Sequence, residues 1–200
     1  MRTARILVIG VVAGLMGTTG RALDTYKVDP AHSSINFTIE HLVINTVHGR
    51  FGQFEGSIVV DPEVGNALKQ ASATIQAKSI DTSIPRRDDH LRSADFFDVV
   101  KFPAITFESK GIKKQGSEQV LVGNFTMHGV TKEISVPVKL KGPVNAMGGT
   151  RIGLEANTKL NRKDYGLTYN KVLETGGLMV GEEVTIQINA ECVKQAAEKK

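Results

Sequence analysis

From Leu23 onward apolar and polar residues alternate with a period of two, and this alternation constrains the fold more than any other feature of the chain. It marks strands that turn one face to an apolar interior and the other to water. Residues 33–41 set Ile35, Phe37 and Ile39 against Asn36, Thr38 and Glu40, and residues 133–141 set Ile134, Val136, Val138 and Leu140 against Ser135, Pro137, Lys139 and Lys141. Residues 151–160 and 183–192 keep the rhythm, as do 54–60, 71–79, 104–109 and 120–127, and residues 26–29 read as a short opening strand. Eight long strands and a short ninth are expected. The connections carry turn chemistry at Asp61-Pro62, Lys110-Gly111, Gln115-Gly116, His128-Gly129, Gly142-Pro143 and Gly148-Gly149. They leave no room for crossover helices, so the expected fold is all-β, an antiparallel meander. Such a sheet buries its apolar face by closing into a barrel or splitting into a sandwich. The barrel is favoured because closure removes the edge strands. Pro137, on the polar phase of its run, suits a bulge or an edge and argues for a locally incomplete sheet.

One segment interrupts the pattern. Residues 79–103 do not alternate, and within them residues 85–94 read as a short helix: Pro85 suits a first turn, Asp88 and Asp89 lie at the positive end, and Leu91 and Ala94 could face inward. Phe96, Phe97, Val99, Val100 and Phe102 follow without strand period. Such an insertion is a lid, a binding loop or a plug that corks one end of the barrel.

The start of the chain reads as an export signal. Arg2 and Arg5 precede an uncharged apolar run at residues 6–17, and Gly20-Arg21-Ala22 supplies a small-residue break before Leu23. Residues 1–22 are expected to be removed, residues 23–194 to form the barrel and residues 195–200 a disordered tail, in a periplasmic protein. The apolar run is shorter than the ~20 residues of a bilayer span. The formal charge of +4 comes largely from this leader: without Arg2, Arg5 and Arg21, 22 cations face 21 acidic residues. A nearly neutral domain gives no electrostatic reason to expect nucleic acid. One cysteine excludes an intramolecular disulfide framework, and Cys192 falls on the apolar phase of its strand as a small hydrophobe. The five histidines fall singly, and Asp88-Asp89-His90, the one local cluster of possible metal ligands, reads as solvated helix surface. No Gly-x-Ser-x-Gly elbow is present, so no catalytic residue, metal or cofactor is expected. Asn36-Phe-Thr and Asn124-Phe-Thr match a glycosylation pattern inside strands and read as accidental.

The inner face tilts toward a hollow barrel. Ala71, Ala73, Ala77, Ala156 and Ala190 are small inward candidates, while the phenylalanines are spread over different strands. An eight-stranded barrel can be packed solid or hold one ligand, and small residues favour an open apolar lumen. Strands of about ten residues run ~33 Å, long enough to sheathe an extended lipid chain. A fully packed barrel without ligand is the alternative.

The residues also carry a resemblance. Val28-Asp29-Pro30-Ala31-His32-Ser33-Ser34-Ile35-Asn36-Phe37 resembles the opening of the YceI-like family, secreted polyisoprenoid-binding proteins with a lipocalin-like barrel. Val47-His48-Gly49-Arg50-Phe51-Gly52, with Phe54 and Gly56, is similar to its next segment. Ser79-Ile80-Asp81-Thr82, then residues 87–98 (Arg-Asp-Asp-His-Leu-Arg-Ser-Ala-Asp-Phe-Phe-Asp) and Phe102-Pro103-Ala104-Ile105-Thr106-Phe107, resemble its most distinctive motif. Met127-His128-Gly129-Val130-Thr131 and Leu160-Asn161-Arg162-Lys163-Asp164-Tyr165-Gly166 complete the order. Tyr26 stands where the family often has Trp, and Met127 where it commonly has Ile. The resemblance implies an extended eight-stranded barrel with a helical insertion, holding a long isoprenoid or similar amphiphile in its pore. Phe37, Ile39, Phe54, Ala73, Ile75, Phe107, Phe125 and Met127 are the candidate wall. His90, Phe96 and Phe97 from the insertion and Tyr165 from the last motif join them. Arg86 and Arg162, with Arg87 and Arg92, are candidates for a polar head, against pairing with Asp88, Asp89 and Asp164. Two other readings stay open: an enzyme or redox accessory acting on an isoprenoid quinone or haem, and a ligand-free structural or stress protein. A homodimer is possible, and nothing in the sequence selects it.

Overall fold

The computed structural model describes residues 22–116, 118–172 and 178–196. The expected leader lies outside the described residues, as does the end of the expected tail. Eleven strand segments appear among them: β1 Asp24–Val28, β2 Ser34–His41, β3 Asn45–Phe51, β4 Phe54–Asp61, β5 Ala67–Gln76, β6 Ile80–Asp81, β7 Ala104–Gln115, β8 Glu118–Met127, β9 Val130–Ala146, β10 Gly149–Asn161 and β11 Val180–Lys194. They amount to eight runs of chain, because the first three runs are bent. β1 continues into β2 through a single turn at Pro30–His32, β3 into β4 across Gly52-Gln53, and β5 into β6 through Ala77–Ser79. The pairings follow the bends: β1 pairs with β4 and β2 with β3, while β4 pairs with β5 and β3 with β6. The ladder proceeds antiparallel through β7, β8, β9 and β10 to β11. β11 then closes the ring on both halves of the first run, at Lys27↔Val193 and Phe37↔Ile186. The fold is an antiparallel eight-stranded barrel with one short helix, α1 Pro85–Arg92, inserted between β6 and β7.

Two turn-like dipeptides lie inside strands. Lys110 is an extra residue between Ser109↔Gly123 and Gly111↔Val122, and Gly142-Pro143 sits where β9 slips against β10 between Arg151 and Gly153. Both are bulges that let a strand continue past a residue it cannot pair, so β7 and β9 run further than the alternation indicates. β3 was not expected as a strand, because Gly49 occupies an inward position and erases the apolar phase around Val47 and Phe51. Pro137 opposes Val120 of β8, and pairing of β9 with β10 ends beside it, at Val138↔Ala156. Lacking an N–H, it cannot continue the ladder. The turn Arg162–Tyr165 packs against both strands beyond that point, where Tyr165, 1% exposed, meets Phe125 edge-on at 5.4 Å and Lys132 bridges Asp164 at 3.0 Å.

The core divides into two clusters. Tyr26, Val60, Leu68, Ile152 and Cys192 are buried at one end, and Ile80, Ile105, Leu160, Tyr165 and Leu167 at the other. Phe107, Ile134 and Ile188 are only partly buried and pack against both, which places unfilled space between the clusters.

Helix α1 ends two residues earlier than the sequence suggests, and Ala94 is exposed rather than inward. Asp88 is buried and not solvated: its Oδ1 accepts from the Thr82 backbone N–H at 2.9 Å and from the Thr82 hydroxyl. These bonds pin the first turn of the helix to the segment that follows β6, while no side chain caps the helix at Ile84.

Candidate ligand-binding lumen

A cavity of about 460 Å³ runs between the two core clusters, with walls that are almost wholly apolar. Its hollowness has a cross-strand cause. Phe37 lies opposite Gly49, and its ring occupies the place where a Cβ on Gly49 would stand. Phe107 reclines over Gly123 in the same way, its ring 2.8 Å from that glycine's notional Cβ. The large rings therefore lie along the wall rather than across the axis. Where no glycine accommodates a ring the lining is small: Ala156 stands between Val138 and Ile188, and Ala190 opposite Leu154. Tyr26, Val60, Leu68 and Ile152 do not line the cavity and close one end. The buried Cys192 belongs to this floor, and burial pushes its thiol up to about 11.

The open end lies between the β2–β3 hairpin, α1 and residues 167–171 and 179–180, where the exposed lining residues Glu40, His90 and Lys171 are found. His90 is held by Asp95 at 2.8 Å and meets Phe96 and Tyr169 edge-on at 5.1 and 5.0 Å. With Phe96 and Tyr169 only 4.9 Å apart, the three rings form an aromatic lip. A second series leads inward, Phe97 on Phe51 at 5.9 Å and Phe51 on Phe37 at 5.7 Å. The insertion is thus a partial cover whose rings join the wall.

Of the residues singled out in the sequence, Phe37, Ile39, Phe54, Ala73, Ile75, His90, Phe96, Phe97, Phe107, Phe125, Met127 and Arg162 all line this one cavity. Two do not. Arg86 is exposed on the outer side of α1, and Tyr165 is spent in packing on Phe125 at the β9–β10 seam. The arginines are also partnered differently from the expected set. Arg162 does not pair with Asp164. Only 3% exposed, it donates to the carbonyls of Gly181 at 2.8 Å, of Leu167 and of Val180, and burial pushes its pKa down. It thereby ties Leu167 to Val180 and Gly181 at the barrel rim. Arg87 donates to the hydroxyl and carbonyl of Thr82 at 2.7 and 2.8 Å, and only Arg92 takes an expected partner, Asp89 at 3.0 Å. Tyr169, Val47 and Lys171 line the cavity without having been foreseen. Tyr169, an aromatic residue shortly after the Gly166 turn, was the one with a visible signal.

The one grouping of three potential metal ligands among the described residues is Asp29, His32 and Glu191, on the outside of the barrel. A guanidinium already serves it: Arg151 donates to Asp29 at 3.1 Å and to Glu191. Hydrogen bonds from His32 and Arg151 hold the Asp29 carboxyl at about 2. The group ties the turn between β1 and β2 to β10 and β11, which accounts for it without an ion.

A family model, the YceI-like domain, matches residues 26–192. Protein YceI of Salmonella newport (strain SL254) is 39% identical over 188 residues, covering 92% of this chain and 95% of that protein. Among solved structures, BcnA of Burkholderia cenocepacia superposes with a TM-score of 0.69 at 23% identity, covering 82% of this chain and 98% of that one. A polyisoprenoid binding domain from Saccharophagus degradans superposes with a TM-score of 0.64 at 17% identity, covering 85% and 98%.

Proposed function

The chain belongs to the YceI-like domain family, and on that premise we propose that it binds the tail of a long isoprenoid or similar amphiphilic lipid in its lumen, as an exported periplasmic carrier rather than an enzyme. The observation that carries the reading is a hollow of about 460 Å³, apolar along its length, closed at one end and lipped by aromatic rings at the other. Its size falls within the range of small-molecule sites. Each methylene drawn from water contributes ~0.8 kcal/mol, so a long tail gains far more from the walls than a compact metabolite could. The head group stays at the lip near Tyr169 and Lys171, where side chains are exposed and polar. The name of the neighbour from Saccharophagus degradans describes a binder of the same lipid class. The basic, then apolar, then small-residue order of residues 1–22 supports export.

Native mass spectrometry of protein purified gently from the periplasm tests this. A non-covalent adduct with the mass of a long-chain lipid is expected, on a polypeptide that begins near Leu23. A bare polypeptide that still takes up no isoprenoid when one is supplied would overturn the carrier reading.

A further inference from the structure

The rim of the cavity carries a feature that lipid storage alone does not need. At the tip of the β2–β3 hairpin, Val43 and Ile44 are 74% and 85% exposed, and Leu42 and Val43 both hold positive φ, 56° and 61°. Bulky and β-branched residues seldom adopt that conformation, and here it is spent on holding apolar side chains out into solvent. Beside the tip, Val172 is 74% exposed and forms a bridge with Leu178, itself exposed. Backbone hydrogen bonds join the two segments, Leu42 N–H to the Met179 carbonyl at 2.8 Å and Met179 N–H to the Lys171 carbonyl at 3.0 Å. Met179 and Lys171 line the cavity, whereas Val43, Ile44, Val172 and Leu178 do not: they point away from it, around its mouth.

The charges at this end are arranged with a bias. Asp81, Asp89, Asp95 and Glu182 are each paired, with Arg50, Arg92, His90 and Lys163. Arg86 and Lys171 are exposed and have no carboxylate partner among the described residues; Lys171 lines the cavity, as do the exposed acids Glu40 and Glu55, and Arg86 adjoins the lining residue Arg87 on α1. Apolar tips flanked by unpaired cations are the composition that enters the interfacial zone of an anionic bilayer.

From this arrangement we infer that the mouth is a membrane-docking surface: Val43, Ile44, Val172 and Leu178 insert into an anionic phospholipid bilayer, with Arg86 and Lys171 on its headgroups. The inference rests on the carrier reading, and supplies what a carrier of so apolar a chain requires. A tail leaving a bilayer through water loses ~0.8 kcal/mol per methylene, so exchange is fast only where the mouth meets the membrane and the tail passes from one apolar phase to the other. The opposite end also exposes apolar residues, Val144 and Met147 on the β9–β10 hairpin, but that hairpin does not border the cavity and makes an internal control.

The test is co-sedimentation with vesicles of phosphatidylglycerol and phosphatidylcholine, compared for the full chain, Ile44→Asp/Val172→Asp and Met147→Asp. In parallel, binding of N-phenyl-1-naphthylamine in vesicle-free buffer reads the lumen. The expected result is that the double variant loses vesicle association about tenfold or more while its binding of the naphthylamine is unchanged, and that Met147→Asp keeps both. Arg86→Glu is expected to weaken association about fivefold on phosphatidylglycerol and hardly at all on pure phosphatidylcholine. Failure of the parent to sediment, or sedimentation of the double variant equal to the parent's, would overturn the docking surface. So would a parent dimer that the double variant splits, because the rim would then serve a second copy. Loss of naphthylamine binding in the parent would instead count against the carrier reading, a failure that the separate vesicle measurement keeps distinguishable.

Discussion

Replacing Ala156 by Phe separates a hollow barrel from a packed one. Ala156 lines the lumen between Val138 on β9 and Ile188 on β11, with no glycine opposite over which a ring could recline. A phenyl group introduced there must project into the cavity of about 460 Å³. If it displaces about four methylenes of the tail, the loss is about 3 kcal/mol at ~0.8 each, or about 200-fold in affinity. Thermal unfolding supplies the second readout. In a packed interior the extra ring would cost ~1–3 kcal/mol of stability through overpacking, whereas in a hollow one it finds room and the midpoint holds or rises. The assay is displacement of a fluorescent apolar reporter by an isoprenoid alcohol, alongside calorimetry. The expected signature is affinity lost with stability kept. Stability lost with affinity kept would refute the reasoning. Ala73→Phe should also weaken binding, because the place over the opposing Gly56 is already taken by the Val28 side chain, and Arg86→Ala should leave binding unchanged.

Three further outcomes are expected. Gly49→Ala puts a methyl group where the Phe37 ring lies, driving the ring off the wall into the lumen; affinity in the same displacement assay should fall about tenfold, and the added substitution Phe37→Leu should restore most of it. Asp29 has a folded pKa of about 2, below its unfolded value, so its contribution to stability is fully present above pH ~4 and is lost as pH falls toward 2. Denaturant midpoints measured between pH 2 and 5 should therefore vary less for Asp29→Asn than for the parent, and equal pH dependence would exclude the carboxylate. Cys192, buried and with its thiol raised to about 11, should resist iodoacetamide at pH 8 in the folded protein and react readily in guanidinium. Rapid labelling of the native state would show that the floor of the lumen opens.

Much of the architecture was legible along the chain because a strand announces itself locally. Period two in segments such as 33–41 and 183–192, joined by connections too short for crossovers, is enough to specify an antiparallel meander, and Pro137 marked in advance the seam where β9 and β10 part. The alanines at 73, 156 and 190 likewise indicated a thin inner face, and the ordered motifs from residue 28 to 166 pointed to a single family. Where a glycine took an inward place, as in β3, the same signal was lost.

What the tertiary structure alone decided depends on which residues meet across the sheet. Phe37 keeps the lumen open because register sets it against Gly49, and nothing in either segment by itself says so. Arg162 reads as a head-group cation or a partner of Asp164 until the chain brings the carbonyls of Leu167, Val180 and Gly181 around it. The mouth exists only where Leu42 and Met179, far apart in sequence, share a hydrogen bond. Alternation is a property of one strand and is written in its residues. Register and closure are properties of pairs of strands, and there a shift by a single position exchanges the buried face for the exposed one.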